Sequence, residues 1–304
     1  MLSQILELKK KKNALIIAHY YQEGAIQDCA DYVGDSLGMA LFANKQTNPI
    51  AVVCGVKFMA ETLKVYNPDK KILLPDLNAG CSLADSCTPE IFAHFLSKHP
   101  NSFVMTYVNS SLAVKAMSDV ICTSANAVTI AKKAPKDRPL VFAPDQHLGR
   151  YVSKKSGRDM ILFPGNCFVH LSFSMKDLMK LKLQHPDAQM IAHPECEEVI
   201  LSQADFIGST SQLLKFAQES QAKKFIVMTE EGILHQMKKT CPDKIFINGP
   251  DIEGCSCNQC PHMRLNTLEK LYTCLRDEKP EIEVDPMLAE QALVPLKRMI
   301  EMTD

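Results

Sequence analysis

Three short apolar runs punctuate the chain, and each ends in polar residues: Ala14–Tyr21, Phe103–Asn109 and Gln189–Glu195. Runs of this length, bounded by polar clusters, predict buried β-strands rather than helices. Each is followed by a second marker: Asp31-Tyr-Val-Gly-Asp-Ser36, Asp119-Val-Ile-Cys-Thr-Ser124 and Asp205-Phe-Ile-Gly-Ser-Thr210. The shared form is an aspartate, two apolar residues, a short turn and a hydroxyl. A helix-like apolar pattern starts after every hydroxyl. Further strands are predicted at Ile50–Cys54, Leu140–Ala143 and Phe225–Met228, and last ones at Lys71–Pro75, Met160–Pro164 and Lys244–Asn248.

The spacings match between copies. His19 to Ser36, Tyr107 to Ser124 and His193 to Thr210 are each 17 residues apart. From His19 to Tyr107 is 88 residues, and from Tyr107 to His193 is 86. Markers recurring in one order at one spacing define an internal repeat. Alternating strands and helices predict parallel sheets covered on both faces. The expected fold is therefore α/β: three αβα modules with parallel sheets, related by a pseudo-threefold axis around a central cavity. The expected modules are 1–87, 88–175 and 176–276, with 277–304 packing back on the first. Ligands of such sheets bind at the C-terminal ends of strands, and the marked polar residues all lie there.

Composition adds exclusions. Of the 304 residues, 46% are apolar and 23% charged, with a net charge of −1, so no field of one sign favours nucleic acid or an anionic membrane. The sequence has no apolar run of about 18 residues, so no bilayer span is expected. The first residues carry Glu7 and read as a poor signal peptide. The run Lys9–Lys12 reads as the solvated end of a first helix. A reducing, cytoplasmic setting is expected. The twelve cysteines then divide into buried thiols and metal or redox ligands.

The marked residues allow specific chemistry. A hydroxyl at a helix start is most simply an N-cap, but three helix starts in register around one cavity suit small anionic substrates. The strand-end pairs His19 with Tyr21, Tyr107 with Asn109, and His193 with Glu195 are two apart, so each pair can face the cavity together. Two histidines with Glu195 make a workable set for proton transfer. A cysteine follows each last strand: Cys81, Cys167 and the group Cys255, Cys257, Cys260. One thiolate per copy is fewer than structural zinc takes, and suits a [4Fe–4S] cluster with one iron open to substrate. A compressed zinc site on Cys255, Cys257, Cys260 and His262 is the alternative. Cys29, Cys54, Cys87, Cys122, Cys196, Cys241 and Cys274 read as packed thiols.

Several segments together resemble the quinolinate synthase family: His19-Tyr-Tyr-Gln, Gly34-Asp-Ser-Leu, Tyr107-Val-Asn-Ser, Cys122-Thr-Ser-Ala-Asn, Pro144-Asp-Gln-His-Leu-Gly, His193-Pro-Glu-Cys, Gly208-Ser-Thr and Cys260-Pro-His-Met. The resemblance runs from about residue 13 to residue 270. It implies a transferase that condenses iminoaspartate with dihydroxyacetone phosphate to quinolinate, releasing phosphate and water, in de novo NAD synthesis. It implies one [4Fe–4S] cluster on Cys81, Cys167 and Cys260. It implies substrate contacts at His19, Ser36, Tyr107, Asn109, Ser124, His193, Glu195 and Thr210, with Tyr21 and Glu195 in acid–base steps beside His193. It also implies functional coupling to an L-aspartate oxidase or dehydrogenase that makes iminoaspartate.

Repeat spacing and resemblance part at the last cysteine. Ser36 to Cys81 is 45 residues, Ser124 to Cys167 is 43, and Thr210 to Cys255 is 45, whereas the resemblance selects Cys260. Two other functions fit the same pattern: a non-catalytic sensor of small anions, and a cluster-free sugar-phosphate enzyme.

Overall fold

The computed structural model describes residues 1–250 and 258–303. Cys255 and Cys257, and with them half of the compressed zinc alternative, lie outside the described residues. The described chain holds three four-stranded sheets, every one wholly parallel. The first contains β1 (Ala14–His19), β2 (Tyr32–Gly34), β3 (Ile50–Cys54) and β4 (Lys71–Leu73); the second β5 (Phe103–Tyr107), β6 (Val120–Cys122), β7 (Leu140–Ala143) and β8 (Ile161–Leu162); the third β9 (Gln189–Ala192), β10 (Phe206–Ile207), β11 (Lys224–Met228) and β12 (Ile245–Asn248). Spatial order is the same in each: β2-β1-β3-β4, β6-β5-β7-β8 and β10-β9-β11-β12. Registers agree too, with Ala18 opposite Cys54, Thr106 opposite Ala143 and Ala192 opposite Met228. With helices on the sheet faces, these are the three αβα modules of the expected α/β fold.

Each first strand sits where the strand order reverses. The chain leaves it on one side and returns on the other, so the crevice at its C-terminal end is open to a ligand. Strand β1 is buried along its whole length and feeds two cores. Leu15 and Ile17 enter the core shared with the second module, while Ala14, Ile16 and Ala18 enter a smaller one with Ile5, Leu271 and Leu275. The third module builds separate cores around Ile191 with Phe225, and around Met190 with Ile226.

The repeated aspartates are latches for the fold. The Asp31 carboxylate accepts the backbone N–H of Ile16 at 2.8 Å, Asp119 that of Val104 at 2.8 Å, and Asp205 that of Met190 at 2.7 Å. In return the backbone N–H of each aspartate donates to the carbonyl of the same residue. This reciprocal pair ties the start of the second strand to the middle of the first. A charge-assisted hydrogen bond to a backbone N–H contributes about 1.5–3 kcal/mol. Asp205→Ala is therefore expected to destabilise the apo-protein by about 2 kcal/mol, read from urea unfolding. A midpoint equal to the parent's would show the latch to be idle.

Three expectations need correction. The third module was expected to reach residue 276, but the helix Leu268–Asp277 packs on the first sheet, against the helix Leu2–Lys11 and β3. Residues 277–304 were expected on the first module. Residues 278–282 do lie there, with Ile282 N–H donating to Ile72 O at 2.8 Å and Glu278 between Lys12 and Lys71. The following helix, Pro286–Thr303, bridges two modules: it keeps contact with the first-module helix Lys57–Tyr66 but packs mainly on β6 and the helices Leu112–Ala116 and Ala127–Lys133 of the second. Tyr66 and Asn126 fix it by side-chain hydrogen bonds to Leu296 O and Thr303 Oγ1. Finally, Lys9–Lys12 is not simply solvated: Lys9 pairs with Asp31 and Lys12 with Glu278, both at 2.7 Å.

Candidate active site

The C-terminal ends of β1, β5 and β9 open into one cavity. Its lining includes all twelve residues singled out in the sequence: His19, Tyr21, Ser36, Tyr107, Asn109, Ser124, His193, Glu195, Thr210, Cys81, Cys167 and Cys260. Each module supplies a strand-end pair, a hydroxyl and a cysteine.

The hydroxyls are released from capping by their neighbours. Asp35 caps the helix Ser36–Asn44, accepting from Gly38 N–H, and Ser209 caps Thr210–Glu219 in a capping box with Gln212. Ser36 and Thr210 thus occupy the first helical position, not the cap, and Ser124 precedes the helix Ala127–Lys133 by three residues. This corrects the simplest reading of all three. Their hydroxyls line the cavity, beside the free N–H groups of the helix starts in the first and third modules.

The two repeat-equivalent histidines share one tautomer. His19 Nδ1 accepts the backbone N–H of Tyr21 at 3.2 Å, and His193 Nδ1 accepts that of Glu195 at 3.4 Å. Both rings then carry the proton on Nε2, and His193 Nε2 lies 3.2 Å from Ser124 Oγ. Burial holds His19 down at about 4 and His193 down at about 3, so both are neutral at neutral pH.

A chain of polar contacts joins the modules. Thr210 Oγ1 is 3.1 Å from the Tyr21 hydroxyl, which is 2.7 Å from Thr229 Oγ1. Thr229 Oγ1 is 2.9 Å from His170 Nε2, and His170 Nδ1 is 3.0 Å from Glu195 Oε2. Glu195 Oε1 accepts from the Tyr107 hydroxyl at 2.6 Å. The His170 ring stacks on that of His193, with centroids 4.8 Å apart. Burial alone would push the Glu195 carboxyl up; His170 opposite it, then His193 and the Tyr107 hydroxyl, outweigh that and hold it well below the usual carboxylate range. Burial, reinforced by the Glu195 charge, pushes Tyr21 and Tyr107 well above an ordinary phenol. The site thus pairs one buried carboxylate with two neutral phenols and two neutral imidazoles.

His170 and Thr229 were missed in the sequence, for a physical reason. Each is unique to its module: positions equivalent to His170 hold Ala84 and Met263, and those equivalent to Thr229 hold Gly55 and Pro144. A repeat reveals what is shared and hides what is singular.

The backbone shows which cysteines correspond. In the first module Lys57 N–H donates to Ala79 O at 2.7 Å, in the second Gln146 N–H to Gly165 O at 2.9 Å, and in the third Glu231 N–H to Asn258 O at 3.2 Å. Each donor lies three residues beyond the end of its third strand, and each acceptor two residues before a cysteine: Cys81, Cys167 and Cys260. Gly165 meets the need for close approach, since a Cβ there would come 2.5 Å from Pro144 O. Donor and acceptor are 22, 19 and 27 residues apart, from residue 57 to 79, 146 to 165 and 231 to 258. The extra length of the third copy lies inside this loop, which is why spacing counted along the chain pointed at Cys255. Burial pushes the Cys81 thiol up to about 12 and holds that of Cys167 well above the ordinary thiol range.

Cys167, His170 and Glu195 also bring ligand atoms within 4.8 Å of one another, so the site can hold a metal. The seven cysteines expected to be packed thiols are all buried. No helix among the described residues is long and apolar enough to cross a membrane.

A family model described as quinolinate synthetase A protein matches residues 3–301. The chain is 54% identical over 303 residues to the quinolinate synthase of Microcystis aeruginosa (strain NIES-843 / IAM M-2473), spanning 100% of this chain and 95% of that protein. It is 55% identical over 304 residues to that of Cyanophora paradoxa, spanning 100% and 92%. It is 55% identical over 303 residues to that of Nostoc punctiforme (strain ATCC 29133 / PCC 73102), spanning 100% and 94%.

Proposed function

Because the chain belongs to the quinolinate synthase family, we propose that it condenses iminoaspartate with dihydroxyacetone phosphate to quinolinate, releasing phosphate and water, in de novo NAD synthesis. The carrying observation is the convergence of three modules on one cavity, each giving a hydroxyl, a strand-end pair and a thiol from an equivalent position.

Cys81, Cys167 and Cys260 are the residues that would hold a [4Fe–4S] cluster. Their fit is chemical. All three are free thiols lining the cavity, and burial keeps them protonated until a metal displaces the proton. When bound, the cluster supplies a Lewis-acidic iron that assists loss of hydroxide.

The chain's own residues supply the rest. Ser36, Ser124 and Thr210 offer hydroxyls to phosphate and carboxylate groups, backed by the N–H groups of the two helix starts. His19 and Asn109 border the same space and orient the substrates from the other strand ends. Glu195, already ionised, takes a proton from the reacting carbon or nitrogen. His170 and Tyr107 hold its two oxygens in place. Tyr21, kept as a phenol, donates a proton to the leaving oxygen and is aligned by Thr210 and Thr229. His193, neutral and held by Ser124, borders the same cavity with its ring stacked on that of His170.

A single metal ion on Cys167, His170 and Glu195 is a second reading, favoured by their proximity. It leaves Cys81 and Cys260 without a task, and an ion between His170 and Glu195 would replace their direct contact at 3.0 Å. The ten free cysteines among the described residues suit the reducing cytoplasm. An L-aspartate oxidase or dehydrogenase is the partner activity that would supply the labile imine.

The test is anaerobic purification and reconstitution, followed by iron and sulfide analysis and assay of quinolinate with both substrates. Iron and sulfide near four each per chain, with product formed, is the expected result. Protein that binds no iron, or binds iron without sulfide, contradicts the cluster; cluster without product contradicts the reaction.

A further inference from the structure

The three cysteine loops are hung from their modules in unequal ways. Val56, Asp145 and Glu230 occupy one module position, two residues past the ends of β3, β7 and β11. Asp145 Oδ2 accepts the backbone N–H of Cys167 at 3.2 Å, and Glu230 Oε1 accepts that of Cys260 at 3.1 Å. Both carboxyl groups are fully buried. Each is also anchored within its own module. Asp145 Oδ1 accepts from Leu148 N–H at 2.7 Å, capping the helix Gln146–Ser156. Glu230 Oε2 accepts from Gly232 N–H at 2.7 Å, and Arg264 lies 3.2 Å from Oε1. In the first module the same position is Val56, whose side chain can accept nothing.

We propose that Asp145 and Glu230 are a matched pair of positioning residues. Each holds the backbone of its cysteine so that the thiolates of Cys167 and Cys260 converge with that of Cys81. The inference rests on the reading of these cysteines as cluster ligands. A metal–thiolate site tolerates ligand displacements of only about 0.2 Å, so an acceptor fixed at the ligand's own amide sets where the sulfur can go. The third loop is the longest of the three, and it carries the longer acid, reinforced by Arg264. Asp145 does not border the cavity, and Glu230 borders it beside Cys260 with both oxygens already engaged.

The clean variants are Asp145→Asn and Glu230→Gln. Asparagine keeps one oxygen for the helix cap and turns an N–H donor toward Cys167, so the cap survives while the cysteine contact is lost. Glu231→Gln is the control, because Glu231 also contacts Arg264 but does not touch Cys260 through its side chain. Parent and variants would be reconstituted anaerobically and compared for iron and sulfide, the paramagnetic resonance spectrum of the reduced cluster, the rate of iron loss to a chelator, and apo-protein melting. The expected result is iron loss about 10–100-fold faster in Asp145→Asn and Glu230→Gln, with a shifted spectrum. Glu231→Gln should match the parent. Parent-like rates and spectra in both variants would overturn the proposal, as would acceleration matched by Glu231→Gln or explained by a lowered apo melting temperature. A parent protein that takes up no iron would overturn the cluster reading itself, before any variant is compared.

Discussion

Cys260→Ala protein is expected to emerge from anaerobic reconstitution without a stable cluster and to make no detectable quinolinate, whereas Cys255→Ala protein keeps both. The expectation follows from backbone register. Cys81, Cys167 and Cys260 each lie two residues past a carbonyl that accepts an N–H from the same point of its module. Removing one of three thiolates leaves two protein ligands, too few to retain the cluster against solvent and chelator. Iron and sulfide per chain, together with the visible absorbance of the cluster, read the result directly. Loss of iron from Cys255→Ala, with Cys260→Ala unaffected, would reverse the assignment and show that chain spacing, not backbone register, marks the ligand.

Glu195→Gln is expected to keep its cluster and lose about 10²–10⁴-fold in turnover, the usual contribution of a positioned acid or base. The substitution is close to isosteric, and glutamine can still accept from the Tyr107 hydroxyl. What it removes is the charge that faces His170 at 3.0 Å and the capacity to take a proton. Tyr21→Phe should behave alike. Its hydroxyl joins Thr210 to Thr229, and burial keeps it a protonated phenol, so that a proton given to the leaving oxygen must be replaced. Steady-state quinolinate formation normalised to iron content separates these losses from cluster loss. Turnover within about tenfold of the parent's in Glu195→Gln would remove Glu195 from the proton-transfer steps.

Much of this was legible before any coordinates, because the chain presents its module three times. The first, third and last strands stand out as apolar runs, and parallel packing follows from their alternation with helices. The short second strands do not stand out. Phe206–Ile207 and Tyr32–Gly34 are too brief to show a period and are held as strands by the aspartate latches. The cavity residues at Ser36, Tyr107 and Thr210 were visible because each has counterparts. His170 and Thr229 were not, because each appears in one module alone. The route of the C-terminal helix was likewise invisible, since its buried residues Ala292, Leu296 and Met299 enter a core that the first and second modules share.

The latches separate what the three modules share from what each holds alone. A chain that repeats one unit carries its own alignment, and comparing the copies sorts the constraints of the fold from those of the site. The aspartate that ties one strand to the next is the same residue, making the same two bonds, in every copy. Strand tips a few residues away have become His-Tyr-Tyr, Tyr-Val-Asn and His-Pro-Glu. One latch therefore serves as a common mount for three different tips, and a single cavity receives three unlike sets of side chains without any change in how the strands behind them are held.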